Sequence, residues 1–138
     1  MPAIPGNING VLIEFSPNTN KNVDQKLIDA LKHTLNVNVA TGHILTKVYI
    51  SSANDQHTLP SRHVQGAGKA VDISRINGMK MSVFYPSNST VKAITDALQN
   101  KFESYAHKRE NFGPLFKKKL GKVHNVSGHG DHIHFSVN

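Results

Sequence analysis

The feature of this sequence that most constrains the fold is the segment Ser89–Tyr105, in which apolar residues recur at spacings of three and four. This spacing puts them on one face of an amphipathic α-helix. Apolar residues at a spacing of four predict an earlier helix over Val23–Leu35. The candidate amino-terminal caps are Asn22 or Asp24 for the first helix and Ser87, Asn88 or Ser89 for the second. Two such helices need an apolar surface to cover, so the remaining chain is expected to supply a sheet.

Short apolar runs between turn-forming residues predict the strands of that sheet. These runs are Gly10–Phe15, Lys47–Ser52, Ala70–Ser74, Lys80–Phe84 and the last residues of the chain. Asn77-Gly78 is typical of a tight hairpin turn. Residues 53–68 fit neither the helical nor the strand period, so we expect them to form a loop.

The length and apolar content suit one domain. The chain has 138 residues, of which 38% are hydrophobic, which is enough for a single modest core. We therefore predict a single α+β domain over residues 1–138, with two helices packed on one face of a small, mainly antiparallel sheet. Phe15, Phe102 and Phe135 fall within predicted elements and are expected in its core.

The chain is strongly basic and contains no cysteine. Its 16 Lys and Arg residues against 9 Asp and Glu residues give a net charge of +7, which favours an anionic partner such as nucleic acid, an acidic membrane or a wall polymer. The lysine run Lys117–Lys119 is interpreted as a solvated face, and Asn111–Pro114 as a turn beside a cleft. Without cysteine, any zinc site must use histidine and carboxylate ligands.

No segment of the sequence has the features of a membrane anchor or a secretion signal. The amino-terminal residues lack a basic region followed by a long apolar stretch, and no later segment approaches the roughly 20 apolar residues of a membrane span. We therefore expect a protein that is made in the cytoplasm without a signal peptide.

The carboxyl-terminal segment concentrates groups that bind metals or transfer protons. His129, Asp131, His132 and His134 lie within six positions beside an apolar strand pattern. Alternation along a strand would put His132 and His134 on one face. Catalytic zinc takes three protein ligands and leaves a fourth position for water, so residues from another part of the chain are needed.

A second group of candidate ligands lies upstream and carries a family resemblance. Ser61-x-His63, followed by Gly68-x-Ala70-x-Asp72 and by His134, resembles the signature of the D-alanyl-D-alanine carboxypeptidase-type zinc peptidases. That superfamily also holds phage endolysins, murein endopeptidases and the hedgehog signalling domain. The resemblance covers residues 49–137.

This resemblance implies a site and a cofactor. The cofactor would be Zn2+, held by His63, Asp72 and His134 in a cleft that the segment Ser61–Asp72 and the carboxyl-terminal strand form on the sheet face away from the helices. The family places an acidic general base three residues before the last ligand, which makes Asp131 the first candidate for the base and leaves His132 as the second. Members with a His-x-x-His-x-His pattern instead use the middle histidine, here His132, and both residues can be needed. The residues expected to bind substrate are Ser61, Gln56, His57 and His129.

The same resemblance implies a function. The expected activity is zinc-dependent hydrolysis of an amide bond in peptidoglycan stem peptides or cross-bridges, by a lysin or wall-remodelling peptidase of phage or prophage origin. It would act at the bacterial cell wall after release, or within a phage particle. The alternative is a catalytically inactive, zinc-containing wall-binding or virion structural module. Nucleic-acid binding is disfavoured, and the remaining histidines, His33, His43, His107 and His124, are assigned no role.

Overall fold

The structure is a computed structural model that describes residues 1–54 and 68–138. In these residues the chain forms one mixed sheet and three helices. The strands are β1 (Asn7–Ile8), β2 (Val11–Phe15), β3 (Lys47–Ser52), β4 (Ala70–Ile76), β5 (Met79–Lys80), β6 (Lys108–Phe112), β7 (Lys117–Lys119), β8 (Lys122–Val123) and β9 (Ile133–Val137). The helices are α1 (Gln25–Thr34), α2 (Met81–Phe84) and α3 (Ser89–Glu103).

The strand order places the carboxyl terminus of the chain inside the sheet. The order is β1-β2-β3-β4-β9-β6-β7-β8, and β5 extends from β4 as the second strand of a hairpin. Strands β2 and β3 pair in parallel, because α1 carries the chain back between them, and the other pairings are antiparallel. The predicted α+β class and the mainly antiparallel sheet are confirmed. With β4 on one side and β6 on the other, all five residues of β9 are buried.

Helices α1 and α3 form the layer that covers the sheet. They contact each other, and both contact β9, so they lie on the same face. Asp24 caps α1 by accepting a hydrogen bond from the backbone N–H of Lys26, and Asn88 caps α3 by accepting from that of Val91. The apolar stripe of α3 enters the core, where Phe102 stacks on Phe135 of β9 with ring centroids 4.1 Å apart. The predicted core positions of these two rings are confirmed.

The prediction of a return strand over Lys80–Phe84 was wrong beyond its first residue. Asn77 and Gly78 both have positive φ, at 53° and 79°, and form the predicted hairpin turn. After the turn only β5 pairs with β4, and the chain continues into the short helix α2. The reason lies in burial, because Met81 is fully buried whereas Val83 is largely exposed, although a strand would have put both side chains on one face.

We expected the segment Asn111–Pro114 to be a turn, but its first two residues belong to a strand. Asn111 and Phe112 are the last residues of β6 and are buried. The polar Asn111 is accommodated because its amide donates to the backbone oxygen of Gln99 at 2.8 Å and to Oε1 of Glu103 at 2.9 Å. Its Oδ1 accepts a hydrogen bond from the Gln99 side chain at 3.0 Å, so the buried amide is fully used.

None of the helices in the described part of the chain is long and apolar enough to span a membrane.

Candidate active site

Strands β4 and β9 bring together two of the three residues predicted to bind zinc. Asp72 and His134 are direct partners in the antiparallel register, so their side chains emerge on the same face of the sheet. Oδ1 of Asp72 lies 3.0 Å from Nδ1 of His134, and the two side chains are 18% and 10% exposed. The upstream motif and the carboxyl-terminal motif are therefore in contact through Asp72 and His134, which are partly buried but still accessible to solvent.

The two donor atoms lie slightly closer together than a shared zinc ion would require. Zinc–nitrogen and zinc–oxygen bonds of about 2.1 Å in a tetrahedral arrangement separate two donor atoms by about 3.4 Å. The observed separation of Asp72 Oδ1 and His134 Nδ1 is 3.0 Å, so a small outward movement of either side chain would admit the metal. Without metal the same distance is that of a hydrogen bond.

A carboxylate that the sequence analysis did not select lies on the other side of His134. Oε1 of Glu110, on β6, is 3.0 Å from Nε2 of His134 and accepts a hydrogen bond from Oγ of Ser136 at 2.8 Å. No motif spacing pointed to Glu110, which is 24 residues from His134 in the sequence. The available signal was weaker: Glu110 is the sole acidic residue in the basic stretch from residue 107 to residue 119.

Two carboxylates around one imidazole shift the pKa values of the groups involved. Burial alone would lower the pKa of His134, but its hydrogen bonds to Asp72 and Glu110 raise the pKa to about 9. Burial acts to raise the pKa of Glu110, but hydrogen bonds from His134 and Ser136 bring it down to about 2. At neutral pH the metal-free imidazole is therefore protonated, and a bound zinc ion would have to displace its Nδ1 proton.

The two candidates for the general base lie next to each other, and His132 also lies near Asp72. Nδ1 of His132 is 2.7 Å from Oδ1 of Asp131, and Nε2 of His132 is 4.0 Å from Oδ1 of Asp72. The hydrogen bond to His132 lowers the pKa of the Asp131 carboxyl. Asp131 is the more exposed of the two and faces the ring nitrogen of His132 that points away from Asp72.

Aromatic rings form one wall of the cluster. Phe112 stacks nearly parallel to His134, with ring centroids 5.5 Å apart. The Phe112 ring also contacts those of His124 and His129, at centroid distances of 5.7 and 5.2 Å. His129, predicted to bind substrate, also lies 5.0 Å from His132 by ring centroids. Burial, and then the nearby His132 and His134 rings, lower the pKa of His129. His124, which received no role from the sequence, thus belongs to the edge of the site.

Four of the predicted site residues lie outside the described residues. These are the zinc ligand His63 and the substrate-binding candidates Ser61, Gln56 and His57. Within residues 1–54 and 68–138, no three His, Cys, Asp or Glu side chains form a group that could hold a metal ion. Strands β3 and β4, which precede and follow residues 55–67, are paired next to the site, because Ser52 of β3 is the register partner of Asp72.

Comparisons with known proteins add no family assignment. No protein-family model matches the chain, and no curated protein or solved structure matches it either. The resemblance to zinc peptidases therefore rests on the residues and spacings given above.

Proposed function

We propose that this protein is a zinc-dependent peptidase that hydrolyses an amide bond in peptidoglycan peptides. The observation that carries the proposal is the 3.0 Å approach of Asp72 Oδ1 to His134 Nδ1. These two residues come from separate motifs, 62 residues apart, and a zinc peptidase of the resembled family needs both as ligands. His63 would be the third ligand.

The chemistry of the donor set supports zinc. A carboxylate and a neutral imidazole are ligands that zinc prefers in catalytic sites, and a third histidine would leave the fourth position open. Once bound, zinc would lower the pKa of a water molecule and polarise the scissile carbonyl. Asp72 as a ligand brings one negative charge to the site, which offsets part of the charge of the metal.

The acid–base work would fall to His132 and Asp131. Nε2 of His132 is the ring atom that faces Asp72, so it is the better placed to take a proton from the attacking water and pass it to the leaving amine. The carboxylate of Asp131, at 2.7 Å from Nδ1, would hold the imidazole in the tautomer whose Nε2 is unprotonated. This geometry favours His132 as the proton acceptor and Asp131 as its orienting partner.

The charge of the protein supports an anionic polymer as the substrate. The net charge is +7, and the half-exposed lysines of β7 add to it on the strands beyond β6. Long-range attraction of this kind raises the local concentration of a polyanion such as the bacterial cell wall. We propose a lysin or wall-remodelling peptidase of phage or prophage origin, which acts at the wall after release or within a phage particle.

The test is incubation of the purified protein with peptidoglycan sacculi, with added zinc and with chelator. The expected result is release of new amino groups that chelator abolishes, with fragment masses that identify the cleaved bond. Sacculus binding without amine release, by zinc-loaded protein on several wall types, would instead support a wall-binding or virion structural module. Binding to nucleic acid that falls steeply with salt and ignores chelator would contradict both readings.

A further inference from the structure

The partly buried carboxylate of Glu110 has no part in the chemistry described so far, yet it contacts the predicted zinc ligand His134. Its side chain is 17% exposed, and its Oε1 lies 3.0 Å from Nε2 of His134. The carboxylate is held from a second direction by Ser136, whose Oγ donates to the same Oε1 at 2.8 Å. The backbone N–H of Glu110 in turn donates to that Oγ at 3.0 Å, which fixes the hydroxyl and the carboxylate relative to the strand pair.

The strand order decides which carboxylate each ring nitrogen of His134 faces. Strand β9 lies between β4 and β6, so Nδ1 of His134 faces Asp72 on β4 and Nε2 faces Glu110 on β6. A neutral imidazole that binds a metal through one nitrogen keeps its proton on the other, and the partner of that proton sets the tautomer. Asp72 is itself a predicted ligand and His132 lies near it, so a zinc ion that shares Asp72 and His134 would lie beside Nδ1.

We propose that Glu110 is a positioning residue of the zinc site, which accepts the Nε2–H of His134 and so selects the tautomer that binds zinc through Nδ1. The inference rests on the proposed function, because it assumes that His134 is a zinc ligand. Phe112 adds a second constraint, since its ring lies nearly parallel to the imidazole at an interplanar angle of 17°. The hydrogen bond to Glu110 fixes the direction of the Nε2–H. The stacked ring of Phe112 restricts rotation of the imidazole plane.

The experiment compares zinc affinity, by competition with a chromophoric chelator, across matched variants. Glu110→Ala is expected to weaken zinc binding about 10–100-fold, as loss of a carboxylate behind a ligating histidine typically does. Glu110→Gln retains an oxygen that can accept from Nε2 and from Ser136, so we expect a smaller loss. The control is Glu14→Gln, which removes an exposed carboxylate paired with Lys47 at 3.5 Å on the other half of the sheet.

A second measurement reads the tautomer directly and does not depend on activity. In the zinc-loaded wild type, ¹⁵N NMR of the histidine side chains is expected to show His134 protonated at Nε2 and coordinated at Nδ1. Coordination through Nε2, or wild-type zinc affinity in a folded Glu110→Ala variant, would overturn the inference. If Glu110→Ala does not fold, the zinc affinity of Glu110→Gln and the ¹⁵N spectrum of the wild type still test the inference.

The outcome separates this inference from the proposed function. A wild-type protein that binds zinc through Nδ1 of His134 but releases no amines from sacculi would defeat the peptidase proposal and leave the role of Glu110 supported. A wild-type protein that does not bind zinc would overturn both.

Discussion

Asp72 and His134 lie directly opposite each other on β4 and β9, with Oδ1 and Nδ1 3.0 Å apart, although 62 residues separate them in the sequence. Because side chains alternate between the two faces of a strand, a slip of one residue in this register would send one of them to the opposite face. The register is fixed by buried neighbours, since Val71, Ile73, Ile133 and Phe135 face the core on either side of the pair. The core therefore aligns the two predicted ligands.

Replacement of Asp72 should remove zinc. Asp72→Ala takes away one predicted ligand and one of the two carboxylates that face His134, so we expect loss of measurable zinc binding and of amine release from sacculi. Equilibrium dialysis with metal analysis measures the first, and the sacculus assay the second. The matched control is Asp29→Ala on the exposed side of α1. An Asp72→Ala protein that retains one zinc per chain would show that Asp72 is not a ligand.

His132 and Asp131 should contribute unequally to turnover. If His132 is the proton acceptor, His132→Gln should lower kcat by about 10²–10⁴-fold while zinc stays bound. Asp131→Asn should cost less, because it removes only the partner that orients the imidazole at 2.7 Å. Turnover of each variant on sacculi, with zinc content measured in parallel, distinguishes them. Full activity in His132→Gln together with an inactive Asp131→Asn would assign the base to Asp131.

The metal-free protein should be less stable at alkaline than at mildly acidic pH. The pKa of His134 rises from 6.5 to about 9 on folding, so its contribution to stability is full below pH 6.5 and is lost as the pH rises through 9. The pKa of Glu110 falls from 4.5 to about 2, so its contribution is present above pH 4.5 and is lost as the pH falls through 2. Both contributions are complete between pH 4.5 and 6.5.

Urea unfolding of chelator-treated protein measures this effect. The free energy of unfolding of the wild type minus that of His134→Gln isolates the contribution of His134 and its two carboxylate partners, because the other titrating groups are common to both proteins. We expect the difference to be larger at about pH 6 than at about pH 10. A difference that does not change between these values would show that the imidazole is not charged between the two carboxylates.

Gly113 should be intolerant of a side chain for a reason unrelated to the zinc site. A Cβ at this position would lie 2.6 Å from Cδ of Gln99, which is fully buried. Gln99 cannot easily move, because its Nε2 donates to Asn111 and to the backbone oxygen of Phe116, both at 3.0 Å. We expect Gly113→Ala to lower the free energy of unfolding by about 1–3 kcal/mol. In the control Gly6→Ala the new Cβ would meet no atom within 4 Å, and urea unfolding should show a small change.

Elements whose signal is local were the ones that the sequence predicted well. Strand β3 has the predicted bounds, Lys47–Ser52, and α3 begins at the predicted Ser89 and ends two residues before Tyr105. The hairpin turn at Asn77-Gly78 also follows from local chemistry, because both residues tolerate positive φ. The short helix α2 was missed, since a run of four residues carries too little periodicity to separate a helix from a strand.

The sequence by itself determined the α+β class, the two long helices, and the residues Asp72, Asp131, His132 and His134 as chemistry-bearing candidates. These depend on periodicity and on spacing within short segments, which a sequence states directly. Only the tertiary structure decided that β9 lies between β4 and β6, that Asp72 faces Nδ1 of His134, and that Glu110 lies behind Nε2. The physical reason is that strand order and register arise from packing between distant segments, and local propensity carries no information about which strands become neighbours.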